Sequence, residues 1–289
     1  LVRHLQYKAH HLLVLPIQIG CLIWSASWFV NQQLNALGMI GWLFSQGIVS
    51  SILAINVAHE LIHKDARLEK AFGGILLTSV GYYGFKIEHL RGHHVHVSTP
   101  ADASSARFGQ SVWTFMPEAL FRNSINAWKL EAERLGNANL PFFHWRNEML
   151  GWTLLWFVFG IGFYAGFGVN GLAFFILQGF FAACSLEVIN YIEHYGLERK
   201  QLADGRYERT THLHSWNSDY ALSNLMLFQL QRHSDHHAFP KRRYAILRHF
   251  EDAPQLPGGY AAMFLLALFP PLWHRIIDPR VLAHKAALD

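Results

Sequence analysis

Leu12 to Ala58 reads LLVLPIQIGCLIWSASWFVNQQLNALGMIGWLFSQGIVSSILAINVA, 47 residues without a single Asp, Glu, Lys or Arg. A helix crossing the hydrocarbon core of a bilayer needs roughly 20 apolar residues. The stretch is therefore long enough for two crossings, and Asn31-Gln32-Gln33-Leu34-Asn35 supplies a polar, uncharged turn between them. A second charge-free block, Met149 to Leu186, runs for 38 residues and turns at Gly168-Val169-Asn170-Gly171. Two long transmembrane hairpins follow as the expectation. Composition agrees, with 52% hydrophobic and 15% charged residues, where soluble domains carry about 25% charged. Two shorter apolar runs, Ala71 to Phe85 and Tyr260 to Trp273, are too short to span with ease. They predict short helices lying at, or dipping into, the membrane interface. The fold class is all-α, a multi-pass membrane helical bundle forming a single domain over residues 1–289.

The flanks orient the hairpins. Arg3 and Lys8 precede the first, and Lys64, Arg67 and Lys70 follow it; Lys129, Arg134 and Arg146 precede the second, with Arg199, Lys200, Arg206 and Arg209 after it. Neither turn carries Lys or Arg, so the positive-inside bias puts both turns outside and every open end in the cytoplasm. The same topology accounts for the net charge of +4, which therefore does not argue for nucleic acid. Cys21 and Cys184 are the two cysteines, both in apolar runs; they exclude a disulfide framework and a cysteine-ligated metal site. The chain begins at Leu1 and shows no signal-peptide pattern, so a missing upstream piece is expected.

Nineteen histidines remain to be explained, and nine fall in four short segments. These are His59-Glu60-Leu61-Ile62-His63, Glu88-His89-Leu90-Arg91-Gly92-His93-His94, Glu193-His194, and Leu230 to His237 with His233, His236 and His237. Helix residues three and four apart share a face. That spacing pairs His59 with His63, His89 with His93, and His233 with His236 and His237. All four segments lie on the predicted cytoplasmic side, where they can converge on metal. A zinc protease is one reading, because His59 to His63 matches H-E-x-x-H with Glu60 as general base. One zinc, however, leaves about five imidazoles idle. Nine ligands divide better between two ions, and imidazole suits iron, zinc, copper or nickel. Glu60, Glu88, Glu193 and Asp235 each adjoin a candidate ligand and are expected to accept an outer ring N–H. A histidine-lined transporter is a third reading, but transporters place ionisable groups near mid-membrane.

The four segments, with Asn190-Tyr191-Ile192-Glu193-His194-Tyr195-Gly196-Leu197 as the third, resemble the motifs of bacterial membrane-bound alkane 1-monooxygenases. This family belongs to the histidine-rich membrane group that includes the fatty acid desaturases. His214-Ser215-Trp216-Asn217 adds to the likeness, which runs from about residue 10 to residue 250. The resemblance implies that His59, His63, His89, His93, His94, His194, His233, His236 and His237 hold two non-heme irons. It further implies that O2 is co-substrate, that rubredoxin, itself reduced by rubredoxin reductase, donates electrons, and that the product is a 1-alkanol. A family with six spans, set against four here, places two more upstream of Leu1. The inner membrane of a bacterium, with the site toward the cytoplasm, is the implied location. Related hydroxylases of methyl-aromatics, or desaturases of fatty acyl chains, are the alternative.

An alkane drawn from the bilayer needs an apolar slot, and Trp24, Trp28, Phe44, Trp152, Phe180 and Phe181 are the candidate walls. Lys241, Arg242, Arg243 and Arg248 follow the last histidine segment and form the candidate docking patch for an acidic electron donor.

Overall fold

The computed structural model describes residues 2–288, with side chains described from Leu13 onward; Arg3 and Lys8 lie outside the described side chains. Among the described residues there is no β-strand, and extended pairing is confined to two isolated bridges, Gln201–Tyr207 and Asn217–Gln255. Helix α1 (Val2–Asn31) ends at the predicted polar turn. Asn35 then caps α2 (Ala36–Ser50), its side-chain oxygen accepting from the Gly38 N–H at 2.8 Å. A π-helical turn, Ser51–Asn56, carries α2 into α3 (Val57–Ile62) without a break. Leu13–Asn31 and Ala36–Ile62 are both long and apolar enough to cross a bilayer.

The first short apolar run falls mainly in α4 (Arg67–Ser79). It is followed by α5 (Phe85–Glu88), a π turn over His89–His93, and α6 (His94–His96). Next come α7 (Val112–Asn137) and α8 (Glu148–His194), the latter a third stretch long and apolar enough to cross a bilayer. Gly168 interrupts α8 with φ 66° and ψ −162°, a conformation that glycine adopts without the Cβ penalty. Trp156 and Phe175 have ring centroids 6.3 Å apart, whereas 19 residues of straight helix would separate them by about 28 Å. The backbone therefore doubles back at the glycine where the sequence predicts a turn. After it come α9 (Ala221–Met226), α10 (His233–Ala238), α11 (Tyr260–Ala267) and α12 (Pro270–Leu288). Pro270 opens α12, where its missing N–H has no intrahelical partner to lose.

Contacts divide the chain into two compact units, Leu1–Glu88 with Ser124–Leu186, and His89–Asn123 with Glu187–Asp289. In the first, Leu22, Ala26, Phe29, Leu43, Phe163, Phe174 and Phe175 form an apolar cluster. A buried polar knot lies beside it. Ser50 Oγ accepts from Gln18 Nε2 and Gln46 Nε2, each at 3.1 Å, and donates to Gln178 Oε1 at 2.9 Å. Such interhelical hydrogen bonds help hold helices together where no hydrophobic effect operates. Close approach is the other device: a Cβ on Gly47 would meet Phe181 Cβ at 2.5 Å, and one on Gly179 the Val80 carbonyl oxygen at 2.4 Å.

Aromatic residues dominate the core of the second unit, among them Phe115, Tyr191, Tyr195, Trp216, Tyr260 and Trp273. Several of their polar ends are hydrogen-bonded. Tyr191 donates to the Gln110 carbonyl at 2.7 Å, and Trp216 Nε1 to the Tyr195 carbonyl at 2.9 Å. Tyr195 donates to Asp278 Oδ1 at 2.7 Å. This rigid floor carries α10 and the end of α8.

Candidate metal centre

Helix α10 is a single turn pinned at its start. Asn217 accepts from the Ser234 N–H at 3.0 Å and donates to Ser234 Oγ at 2.6 Å. The turn brings His233 and His237, four residues apart, to 2.9 Å between their Nε2 atoms. His194, in the last turn of α8, places its Nε2 3.2 Å from that of His233. His93 Nε2 lies 3.2 Å from His237 Nε2. These four rings are buried, with ligand nitrogens all within 4.8 Å of one another.

Three more candidate histidines of this unit form a second gathering. In a π turn the hydrogen bond closes at i+5, so His94, as well as His93, comes round to His89. The Nε2 atoms of His89 and His94 are 3.1 Å apart, and His236 Nε2 lies 3.2 Å from His94 Nε2. The predicted shared faces hold, with ring centroids 5.2 Å apart for His89 and His93, 5.6 Å for His233 and His236 and 4.5 Å for His233 and His237, but the ligand atoms of each face divide between two sets. His93, His233 and His237 belong to one set; His89, His94 and His236 form another whose ligand atoms also lie within 4.8 Å. In the first unit, His59 and His63 keep the predicted shared face, with ring centroids 5.3 Å apart. Glu60 is in a buried ion pair with Lys64 at 3.0 Å, which engages the carboxylate that a zinc protease would use as base.

Asp102, which the sequence reading missed, decides the chemistry of His93. Its Oδ2 accepts from His93 Nδ1 at 2.9 Å and from Ser105 Oγ at 2.6 Å. Burial raises the Asp102 carboxyl, but the His93 ring and the Ser105 hydroxyl outweigh it and hold it at about 2. A carboxylate on Nδ1 leaves the Nε2 lone pair turned inward, toward His237. Burial, reinforced by the neighbouring His233, His94, His93 and His194 rings, keeps His237 well below the usual imidazole range and thus neutral. The donor set fits a cation: nitrogens about 2.1 Å from one ion have edges of roughly 3 Å.

Residues 34–267 match the fatty acid desaturase family. Alkane 1-monooxygenase 1 of Pseudomonas aeruginosa is 57% identical over 276 residues, 95% of this chain and 72% of that one. An alkane 1-monooxygenase 2 of Alcanivorax borkumensis is 54% identical over 93% of this chain and 70% of that one. The chain belongs to the alkane 1-monooxygenases of the fatty acid desaturase family. A xylene/toluene monooxygenase hydroxylase component of Pseudomonas putida is similar at 28% identity over 92% of the chain and 71% of that protein.

Within this family member the four flanking carboxylates differ in what they touch. Glu88 is buried, and Glu60 meets Lys64. Asp235 takes the Arg248 N–H at 2.9 Å, Arg248 Nη2 at 3.1 Å and Arg242 Nη1 at 2.5 Å. Arg242 and Arg248, two of the four docking candidates, thus grip the helix that bears three candidate ligands; Lys241 and Arg243 adjoin them in sequence. Glu193 accepts from the Tyr260 hydroxyl at 2.8 Å, and its other oxygen lies 3.2 Å from His233 Nε2.

The six aromatic slot candidates all lie in the first unit, where Phe44, Phe180 and Phe181 adjoin one another. Trp24, Phe44 and Phe180 are exposed. Trp28 stacks on Trp42 at 3.9 Å, Phe44 meets Phe181 edge-on at 5.8 Å, and Trp152 lies over Gly74. An apolar groove of about 850 Å³ in the first unit is lined by Leu13, Leu15, Pro16, Ile19, Ile23 and Phe72, with Gly20. Asp102, Asn217 and Tyr260 are the site residues missed from sequence. Asn217 stands in the quoted His214 to Asn217 stretch, and Asp102 in an Asp-Ala-Ser-Ser turn just after His94.

Proposed function

We propose that the chain is an oxidoreductase that hydroxylates the terminal carbon of medium- or long-chain n-alkanes to 1-alkanols, using O2 and two electrons from reduced rubredoxin. The observation that carries this is the four-imidazole set backed by Asp102 in a chain 57% identical to an alkane 1-monooxygenase. Two non-heme irons are the metals: one would be held by His93, His194, His233 and His237, and His89, His94 and His236 would hold the other. The pair supplies the redox chemistry that activates dioxygen.

The chain's own residues do the rest. Asp102 fixes the tautomer of His93, Asn217 fixes α10, and burial of the rings excludes water. An alkane offers no polar handle, so rate depends on positioning. Each buried CH₂ gains about 0.8 kcal/mol on leaving water but little on leaving lipid. Slot length therefore decides which chain is taken. Two membrane hairpins, with both turns outside and the histidines toward the cytoplasm of a bacterial inner membrane, suit entry of substrate from the bilayer. They also suit docking of rubredoxin, recharged by its reductase, beside Lys241 and Arg243.

Purified chain assayed with rubredoxin, its reductase and octane should yield 1-octanol and contain two irons. The 28% likeness to a xylene/toluene monooxygenase component favours a methyl-aromatic hydroxylase as the second reading. Product from xylene or from a fatty acyl substrate, with none from octane, would replace the first by a relative. One zinc per chain would remove both.

A further inference from the structure

The Glu193 carboxylate lies on the metal-facing side of the four-histidine set. Its Oε2 is 3.2 Å from His233 Nε2, the nitrogen that also faces His237 Nε2 at 2.9 Å and His194 Nε2 at 3.2 Å. A carboxylate that merely orients a ring meets its outer edge, as Asp102 meets Nδ1 of His93. Glu193 meets the inner edge. Its other oxygen is occupied by the Tyr260 hydroxyl at 2.8 Å, and both residues are buried, at 2% and 1% exposure. A carboxylate oxygen on that edge, beside three ring nitrogens that face one another, stands where a further ligand of the same ion would.

We propose that Glu193 is an anionic ligand of the metal held by His93, His194, His233 and His237, with Tyr260 the positioning residue that keeps it bound through one oxygen. The inference rests on the metal-binding reading above. It makes the two metals unequal: one set carries a carboxylate charge, which favours its higher oxidation state. Tyr260 sits in α11, far along the chain from the histidine segments, and Glu193 is reassigned from orienting a ring to binding the ion.

The experiment uses the full chain loaded with ⁵⁷Fe in three forms: unaltered, Glu193→Gln and Tyr260→Phe. Iron per chain, iron affinity and Mössbauer spectra are recorded for each. Glu193→Gln is expected to alter the signal of one iron and leave the other. It should also weaken that site about 10–100-fold, the scale on which even outer partners act. Tyr260→Phe should keep both irons and shift the same signal. Spectrum and affinity unchanged in Glu193→Gln would overturn the proposal while leaving the di-iron reading intact. Unaltered protein that binds no iron would overturn both. Should Glu193→Gln fail to fold, Tyr260→Phe decides alone, a spectrum identical to that of the unaltered protein overturning the proposal.

Discussion

Asp102 Oδ2 sits 2.9 Å from His93 Nδ1, on the edge of the imidazole opposite the nitrogen that faces His237. Removing it should weaken metal binding without removing any ligand. Asp102→Ala is expected to lower iron affinity about 10–100-fold, read by metal titration of the purified protein. With a carboxyl held at about 2, below its unfolded value of about 3.9, the pair contributes stability above pH 4. That contribution is lost only as pH falls through about 2. A step in iron affinity between pH 5 and 8 that Asp102→Ala abolishes would contradict this.

Ser50 and Gln178, 128 residues apart in sequence, share a 2.9 Å hydrogen bond inside the first unit. A double-mutant cycle with Ser50→Ala and Gln178→Leu should give a coupling of about 0.6 kcal/mol, with ~1.7 kcal/mol as the upper end for such bonds in membrane proteins. Unfolding in mixed detergent measures it. Zero coupling would mean that the knot contributes packing alone.

Two glycines of α8 should respond oppositely to alanine. At Gly179 the new Cβ would lie 2.4 Å from the Val80 carbonyl oxygen and 2.8 Å from its carbon, a backbone that cannot swing aside. Gly179→Ala should destabilise by about 1–3 kcal/mol through overpacking. Gly151 has open space around its Cβ position, so Gly151→Ala should be neutral, or stabilising by up to about 1 kcal/mol through helix propensity. Thermal unfolding of the two variants side by side tests the contrast.

The basic residues after α10 should separate into two groups. Arg242 grips Asp235 between His233 and His237, so Arg242→Glu should displace α10 and lose iron. Lys241→Glu with Arg243→Glu should leave iron content unchanged and raise the apparent KM for rubredoxin, more at low salt than at high. Equal KM values at both salt concentrations would place the donor elsewhere.

Much of the architecture was legible before any coordinates. Gly168 falls in a predicted turn, and the helix reverses there with φ 66°; Asn35 falls in the other, and it caps α2. Both signals are local, because a positive φ or a cap is decided by one or two residues. His89 and His93 do share a face, with ring centroids 5.2 Å apart; that the π turn also brings His94 to His89 is what periodicity does not reveal.

From the amino-acid order alone came the apolar lengths, the helical class and the identity of the nine histidines, since composition and short-range spacing suffice for each. Tertiary structure alone decided how the seven candidate ligands in the second unit divide, that Asp102 backs His93, that Glu193 faces inward, and that Arg242 serves Asp235. Those relations join side chains up to 144 residues apart. Distances of that kind are set by how the helices pack, and no periodicity within a single segment encodes them.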